Sequence, residues 1–279
     1  MSISIQTNVT SLFAQQNLAN NTAFENQTIQ RLTSGYRINS SGDDAAGLAV
    51  ANQYASNIAE LNQGVRNAND GTSILQIVDG GLSNISTILN RLKTLATESA
   101  TTTFSGDRSV LNNEFTTLLT EIDRQAGNIG LSSAGGAAGV YNTSISVYIG
   151  GGDSQADAQV AIDLSGAGNQ VDSTGLGINA SVVDTSAHAL AAVTAVNAAV
   201  SALGLVQGTV GTGQNLLGYA SSLASSQITN FSAAESRIRD ADIAAEAANL
   251  SKSQTLQQSS IAALAQANSA PAAILKLLQ

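Results

Sequence analysis

The sequence predicts a mainly α-helical protein: a long antiparallel coiled-coil helical rod built from both termini, with a small β-hairpin insert. Residues 1–131 and 187–279 place apolar side chains at alternating steps of three and four, which is the helical period. Residues 132–186 are instead rich in glycine, serine and β-branched residues. Only 4% of the residues are aromatic. A core built mostly from Ala, Leu, Ile and Val suits close contact between helices.

These patterns predict three parts. The first and last segments, residues 1–42 and 240–279, form a terminal coiled-coil core domain. Two inner segments, residues 43–131 and 187–239, form a helical rod domain. The third part, residues 132–186, is a small β and turn insert of the rod domain.

The terminal helices carry the residues that we expect to drive self-assembly. The first helix ends at Ser34 and Gly35, because glycine favours the left-handed conformation that closes a helix. Charged residues are few on both terminal helices, so an isolated helix of this kind has weak means of staying ordered and soluble. We therefore expect these ends to fold when they pack against other copies. The candidate assembly residues are Ile5, Val9, Leu12, Ile243, Leu250, Ile261 and Leu264.

The inner helices are long, and the insert reads as a hairpin. A second helix extends from about Asp44 to Ser99, which is roughly 80 Å at ~1.5 Å per residue. A third helix closes at Gly127. Residues 143–149 alternate polar and apolar side chains, glycines follow, and residues 159–164 are the expected partner strand.

One stretch has the composition of a membrane span. Residues 185–234 contain no Asp, Glu, Lys or Arg, yet their apolar residues keep to one stripe, which favours helix packing over membrane insertion. Glycines at 204, 208, 211 and 213 predict either a kink or a closely approaching neighbour. The predicted seam is Val193, Val196, Val200, Leu203, Gln207, Val210, Gln214, Leu217, Ser221, Ala224, Ile228 and Phe231.

Composition argues against several functions. The net charge of −9 and the scattered basic residues do not suit nucleic-acid binding. The chain has no cysteine and a single histidine, His188, which we interpret as a solvated or capping residue. Adjacent Asp43 and Asp44 are expected to cap a helix N-terminus. We therefore expect no enzyme activity, no cofactor and no metal.

Two motif sets resemble a known family. Residues 12–18, Leu-Phe-Ala-Gln-Gln-Asn-Leu, and residues 34–48, which begin Ser-Gly-Tyr-Arg-Ile-Asn, closely resemble the N-terminal signature of bacterial flagellins. Residues 236–242, Ser-Arg-Ile-Arg-Asp-Ala-Asp, and residues 264–271 resemble the C-terminal signature. Together with the helical pattern, the resemblance covers about four fifths of the chain.

The resemblance implies a structural subunit that self-assembles into the extracellular flagellar filament for motility. It also implies a chaperone on the C-terminal helix, a filament cap, hook-junction proteins, and export by the flagellum's own apparatus. The first ten residues show no cleavable signal peptide, which agrees with that route. The family is also recognised by a vertebrate Toll-like receptor. Arg91, Leu95 and Glu114 match residues that the family uses in that contact.

Two alternatives remain at this point. A flagellin-like protein of the hook–filament junction would have nearly the same helical pattern. A secreted, membrane-active helical protein is the third reading, because of the uncharged stretch at residues 185–234.

Overall fold

Five α-helices and one β-hairpin make up the described part of the chain, and they confirm the predicted mainly α fold class. The computed structural model describes residues 7–133, 144–151 and 158–277. The elements in chain order are α1 (Val9–Ser34), α2 (Ala45–Ala100), α3 (Arg108–Asn128), β1 (Ser144–Tyr148), β2 (Gln159–Asp163), a one-turn 3₁₀ helix (Ala167–Asn169), α4 (Ser186–Arg239) and α5 (Ile243–Leu277).

The chain divides into two compact units. The terminal unit comprises Met1–Ser56 and Asn230–Gln279, and the central unit comprises Asn57–Thr229. Both α2 and α4 contribute residues to each unit.

In the terminal unit, side chains and backbone define where each helix begins and ends. The Asn8 side chain caps α1 by accepting a hydrogen bond from the Ser11 amide, and α1 closes at Gly35, whose φ is 74°. The Asp44 carboxylate accepts from the Gly47 amide at 2.8 Å, so it caps α2 as predicted. Asp43 has a different role: its carboxylate accepts from the Asn39 and Ser40 amides of the preceding loop. These bonds hold the pKa of Asp43 below its usual value.

Backbone bonds join the segment after α1 to the segment before α5. The Arg37 amide donates to the Arg239 carbonyl at 2.6 Å, and the Ala241 amide donates to the Gly35 carbonyl at 2.9 Å. These bonds bring Tyr36 and Asp240 together as an antiparallel bridge. The two segments that connect the terminal helices to the rest of the chain are therefore fixed to each other.

In the central unit, the hairpin lies close to α2. The strands pair antiparallel, with Ile145 opposite Ile162 and Val147 opposite Val160, close to the predicted ranges. A Cβ added at Gly64 of α2 would collide with the Ile149 carbonyl oxygen. Glycine is thus required at that point of α2, because the backbone that follows β1 occupies the space of a side chain.

Two carboxylates, buried Asp172 and exposed Asp123, tie the segment after the hairpin to the C-terminal half of α3 and the residues that follow it. Asp172 accepts hydrogen bonds from the Ser133 amide and hydroxyl and from the Gly175 amide. Asp123 of α3 accepts from the Ser173 amide at 2.7 Å and from its hydroxyl. Through these hydrogen bonds, the two carboxylates hold the segment after β2 in place, although that segment has little regular structure of its own.

Five of the twelve predicted seam positions of α4 are confirmed as buried, at intervals of seven residues, and the other seven are half-buried or exposed. Val196, Leu203, Val210, Leu217 and Ala224 are buried, as predicted. The intervening buried positions are one residue earlier than predicted: Ala192, Ala199, Val206 and Gly213 replace Val193, Val200, Gln207 and Gln214. Small residues allow closer packing, and a buried glutamine amide would need hydrogen-bond partners.

The glycines of α2 provide a test of this packing. Gly64→Ala should lower the free energy of unfolding by more than ~2 kcal/mol, because the new methyl group must displace backbone. Gly80→Ala should raise it by about 1 kcal/mol, because Gly80 is exposed in the same helix and no neighbour lies within 4 Å. Urea unfolding of the monomer measures both. A stabilising Gly64→Ala would contradict the placement of the hairpin.

Candidate functional site

Polar side chains form much of the contact between α1 and α5. The Ser11 hydroxyl donates to the Asn268 side chain at 2.8 Å, and the Asn21 side-chain amide donates to the Ser260 hydroxyl at 2.9 Å. The Asn8 side-chain amide donates to the Ala267 carbonyl. Among the few buried residues of these helices are Ser11, Thr28 and Ser253. The first and last helices are therefore joined through hydrogen bonds and small side chains more than through large apolar ones.

Charged side chains close the end of this pair where α1 terminates. Arg31 of α1 contacts Glu246 of α5 at 3.3 Å, and Glu246 is almost fully buried. Nearby, Arg239 lies 3.7 Å from Glu235, and its guanidinium stacks 4.1 Å from the Tyr36 ring centroid. Such pairing is needed because a buried, unpaired carboxylate would be strongly unfavourable.

Large apolar side chains of the same helices are left uncovered. Leu12 is 55% exposed, Phe13 67% and Ile261 54%. Val9 and Ile243 are also about half exposed. We call these five residues the outer apolar set. They are spread along the pair, with Val9, Leu12 and Phe13 on the first turns of α1 and Ile243 on the first turn of α5. Exposed large apolar side chains of this kind are candidates for an interaction surface.

The predicted assembly residues fall into three groups. Val9, Leu12, Ile243 and Ile261 belong to the outer apolar set, whereas Leu250 and Leu264 are half-buried. Ile5 lies outside the described residues. Phe13 was not among the predicted assembly residues, although it directly follows Leu12 and lies one helical step of four residues after Val9. A second large apolar residue at i+4 from Val9 is the signal that could have identified it.

The three residues matched to the receptor contact lie at the junction of α2 and α3. The Arg91 guanidinium contacts the Glu114 carboxylate at 2.6 Å, and both side chains are about half exposed. Leu95 is fully buried in the core. Arg91 and Glu114 thus form an accessible charged pair, whereas the Leu95 side chain is buried and holds α2 in place.

Several other charged groups have shifted pKa values that their local partners explain. Arg124 donates to Glu121 one turn earlier on α3 and lowers the pKa of Glu121 to about 2. His188 lies 2.6 Å from Asp184 and holds the pKa of that carboxylate below its usual value. Both pairs are exposed. Across residues 7–133, 144–151 and 158–277, no group of three His, Asp or Glu side chains is placed to hold a metal ion.

Among the described residues, one helix, α4, is long enough and apolar enough to cross a membrane, judged by length and composition alone. Its most apolar 18-residue window has a mean hydropathy of 2.0, and a third of that window is buried within the protein.

Comparisons with known proteins identify the family. The bacterial flagellin N-terminal helical region matches residues 5–129, and the bacterial flagellin C-terminal helical region matches residues 193–278. A flagellin of Halalkalibacterium halodurans is 32% identical over 278 residues, and the alignment covers 99% of both chains. Flagellin FlaB1 of Treponema pallidum is 31% identical, again over 99% of both chains.

A further relative and a solved structure are also similar. A flagellin of Listeria monocytogenes is 34% identical over 98% of this chain and 99% of its own length. The crystal structure of Bacillus cereus flagellin matches 61% of this chain and 94% of that chain, with 26% identity and a TM-score of 0.48. The two family regions and the full-length sequence relatives carry the assignment. The chain therefore belongs to the bacterial flagellins, and it is a structural subunit of the extracellular flagellar filament and not an enzyme.

Proposed function

We propose that copies of this chain polymerise through the α1–α5 pair, with the outer apolar set as the contact. The observation that carries this proposal is the exposure of Leu12, Phe13 and Ile261 on a pair whose internal contact is largely polar. Burying one such side chain against a neighbour contributes about 1.5–3 kcal/mol. The half-buried Leu250 and Leu264, and Ile5, complete the proposed set of assembly residues.

The small number of charged side chains on α1 and α5 supports the same proposal. Arg31 and Glu246 neutralise each other inside the pair. Little charge is then left on α1 and α5 to oppose the approach of another acidic copy.

This proposal divides the chain into three parts. Residues 1–42 with 240–279 form the assembly domain, residues 43–131 with 187–239 form the rod domain, and residues 132–186 form its insert.

The proposed partners act on the same surfaces. A cytoplasmic export chaperone would cover α5 before assembly, because Ile243, Leu256 and Ile261 are exposed there. The filament cap and the hook-junction proteins would meet the terminal helices at the ends of the polymer. We further infer that the subunit is exported by the flagellum's own secretion apparatus without loss of a signal peptide. The family resemblance supports these steps.

Recognition by a Toll-like receptor would involve the Arg91–Glu114 pair. The pair is accessible and spans α2 and α3, so it presents two opposite charges in a fixed geometry. Leu95 would act indirectly, because its buried side chain holds α2 in place.

Replacing one outer apolar residue should weaken polymerisation without unfolding the monomer. Leu12→Gln removes about 2 kcal/mol of burial per subunit contact, so the critical concentration should rise roughly 30-fold. Turbidity and electron microscopy of chains brought to assembly conditions measure this. Val110→Gln is the matched control, because Val110 of α3 is exposed to a similar degree but lies in the central unit. Equal critical concentrations for Leu12→Gln, Val110→Gln and the unchanged chain would refute the proposal.

Receptor recognition should depend on the charged pair. Glu114→Lys reverses one charge and places two cations together, so activation of reporter cells that express the receptor should fall about tenfold or more. Glu121→Lys on the same helix is the control, since it breaks a similar exposed pair with Arg124. If both variants activate like the unchanged monomer, Arg91 and Glu114 do not contact the receptor.

A further inference from the structure

The contact between α1 and α5 has few features that would stop one helix from sliding along the other. Its buried side chains include Ser11, Thr28 and Ser253, and small or polar residues recur along both helices. A shift by one turn would therefore bring similar residues together. In paired helices, the register is set by a polar group that finds its partner at one position only. The Arg31–Glu246 pair is one such contact, near the end of α1.

Pro271 creates a unique position towards the end of α5. Proline has no backbone N–H, so it cannot donate to the carbonyl four residues earlier in a helix. In α5, which spans Ile243–Leu277, that carbonyl belongs to Ala267. The chain contains a single proline, so within this helix only the Ala267 carbonyl loses its donor in this way. A half-buried carbonyl without a donor is unfavourable, so Ala267 needs one from elsewhere.

The Asn8 side chain supplies the missing donor. Its amide nitrogen donates to the Ala267 carbonyl at 2.8 Å. The Oδ1 atom of the same side chain accepts from the Ser11 amide at 3.1 Å and from the Thr10 hydroxyl. A backbone amide can only donate and a carbonyl can only accept, so these partners fix which end of the Asn8 side chain faces α5. One residue thus caps α1 and completes the hydrogen bonding of α5.

We propose that Asn8 and Pro271 together set the register of α1 against α5, which makes Asn8 a positioning residue for assembly. The inference rests on the proposed function, because the register decides which apolar side chains of the two helices lie side by side. Leu12 follows Asn8 by about one turn, and Ile261 precedes Ala267 by less than two turns. A shifted register would place Leu12 beside other residues of α5 and change the surface that another copy meets.

Two substitutions separate the capping of α1 from the register. Asn8→Asp keeps an oxygen that caps the helix about equally well, but a carboxylate cannot donate to Ala267. The critical concentration for polymerisation should rise about fivefold or more, because the Ala267 carbonyl is left without a donor. Pro271→Ala returns a backbone N–H to α5. Adding Asn8→Asp to Pro271→Ala should therefore raise the critical concentration less than twofold over Pro271→Ala alone.

Asn20→Asp is the matched control for charge. Asn20 lies on the exposed side of α1 and accepts from Gln16 of the same helix, so its replacement adds the same charge without touching the Ala267 carbonyl. An effect of Asn20→Asp as large as that of Asn8→Asp would overturn the proposal. So would equal effects of Asn8→Asp with and without Pro271→Ala.

Cross-linking within one chain measures the register directly. The chain has no cysteine, and the Asn21 amide donates to Ser260 across the pair at 2.9 Å. Asn21→Cys combined with Ser260→Cys therefore reports the native register. Asn21→Cys combined with Leu256→Cys or with Leu264→Cys reports a shift of about one turn. Each pair is oxidised in assembled full-length chain, and only links that keep the mass of a single chain are counted.

Loss of either partner should release the register. Asn8→Asp and Pro271→Ala should each raise the shifted links about fivefold relative to the native link, and the double variant should match the single variants. Unchanged proportions of shifted links would overturn the inference and leave polymerisation through α1 and α5 standing. If the unchanged chain forms no polymer, the proposed function fails, while the same links in the monomer decide whether Asn8 and Pro271 set the register.

Discussion

The first and last helices pair mainly through polar side chains, and the exposure of their large apolar residues depends on this pairing. Ser11, Asn21 and Arg31 connect α1 to α5 by hydrogen bonds and one ion pair. Such bonds contribute about 1 kcal/mol each, less than the burial of one leucine. Because the internal contact uses polar groups, the apolar side chains of Leu12 and Ile261 remain exposed on the isolated subunit. In the proposed polymer, burial of these side chains adds stabilising free energy when copies meet.

The central unit follows the opposite arrangement, because its large apolar residues are mostly used within the chain. Phe115, Leu82 and Ile122 are fully buried, and glycine appears in α2 where another segment comes too close for a side chain. Gly64 is the clearest case, since the backbone after β1 lies against it. Gly208 of α4 differs, because an added Cβ there would meet no atom of the described residues within 4 Å.

Helix positions and the hairpin followed from the sequence, whereas the partners of each helix face did not. A glycine with positive φ at Gly35 and alternation along β1 and β2 are local features, so sequence alone predicts them. Which α4 residues are buried depends on how closely the neighbouring elements pack against the helix. The burial of Ala199 instead of Val200 therefore could not be predicted from α4 alone. The buried carboxylate of Asp172 likewise depends on groups 39 residues away, such as Ser133. The exposure of Phe13 could not be predicted from helical periodicity, because periodicity gives the direction of a side chain and not what covers that side chain.

A helical reconstruction of the assembled filament by electron cryomicroscopy, at a resolution that shows side chains, would reveal what covers the exposed apolar residues of the α1–α5 pair. We expect Leu12, Phe13 and Ile261 to be buried between copies, while the Ser11–Asn268 bond remains inside each subunit. A filament in which these apolar side chains face solvent, or in which α1 pairs with α5 of a different copy, would contradict it.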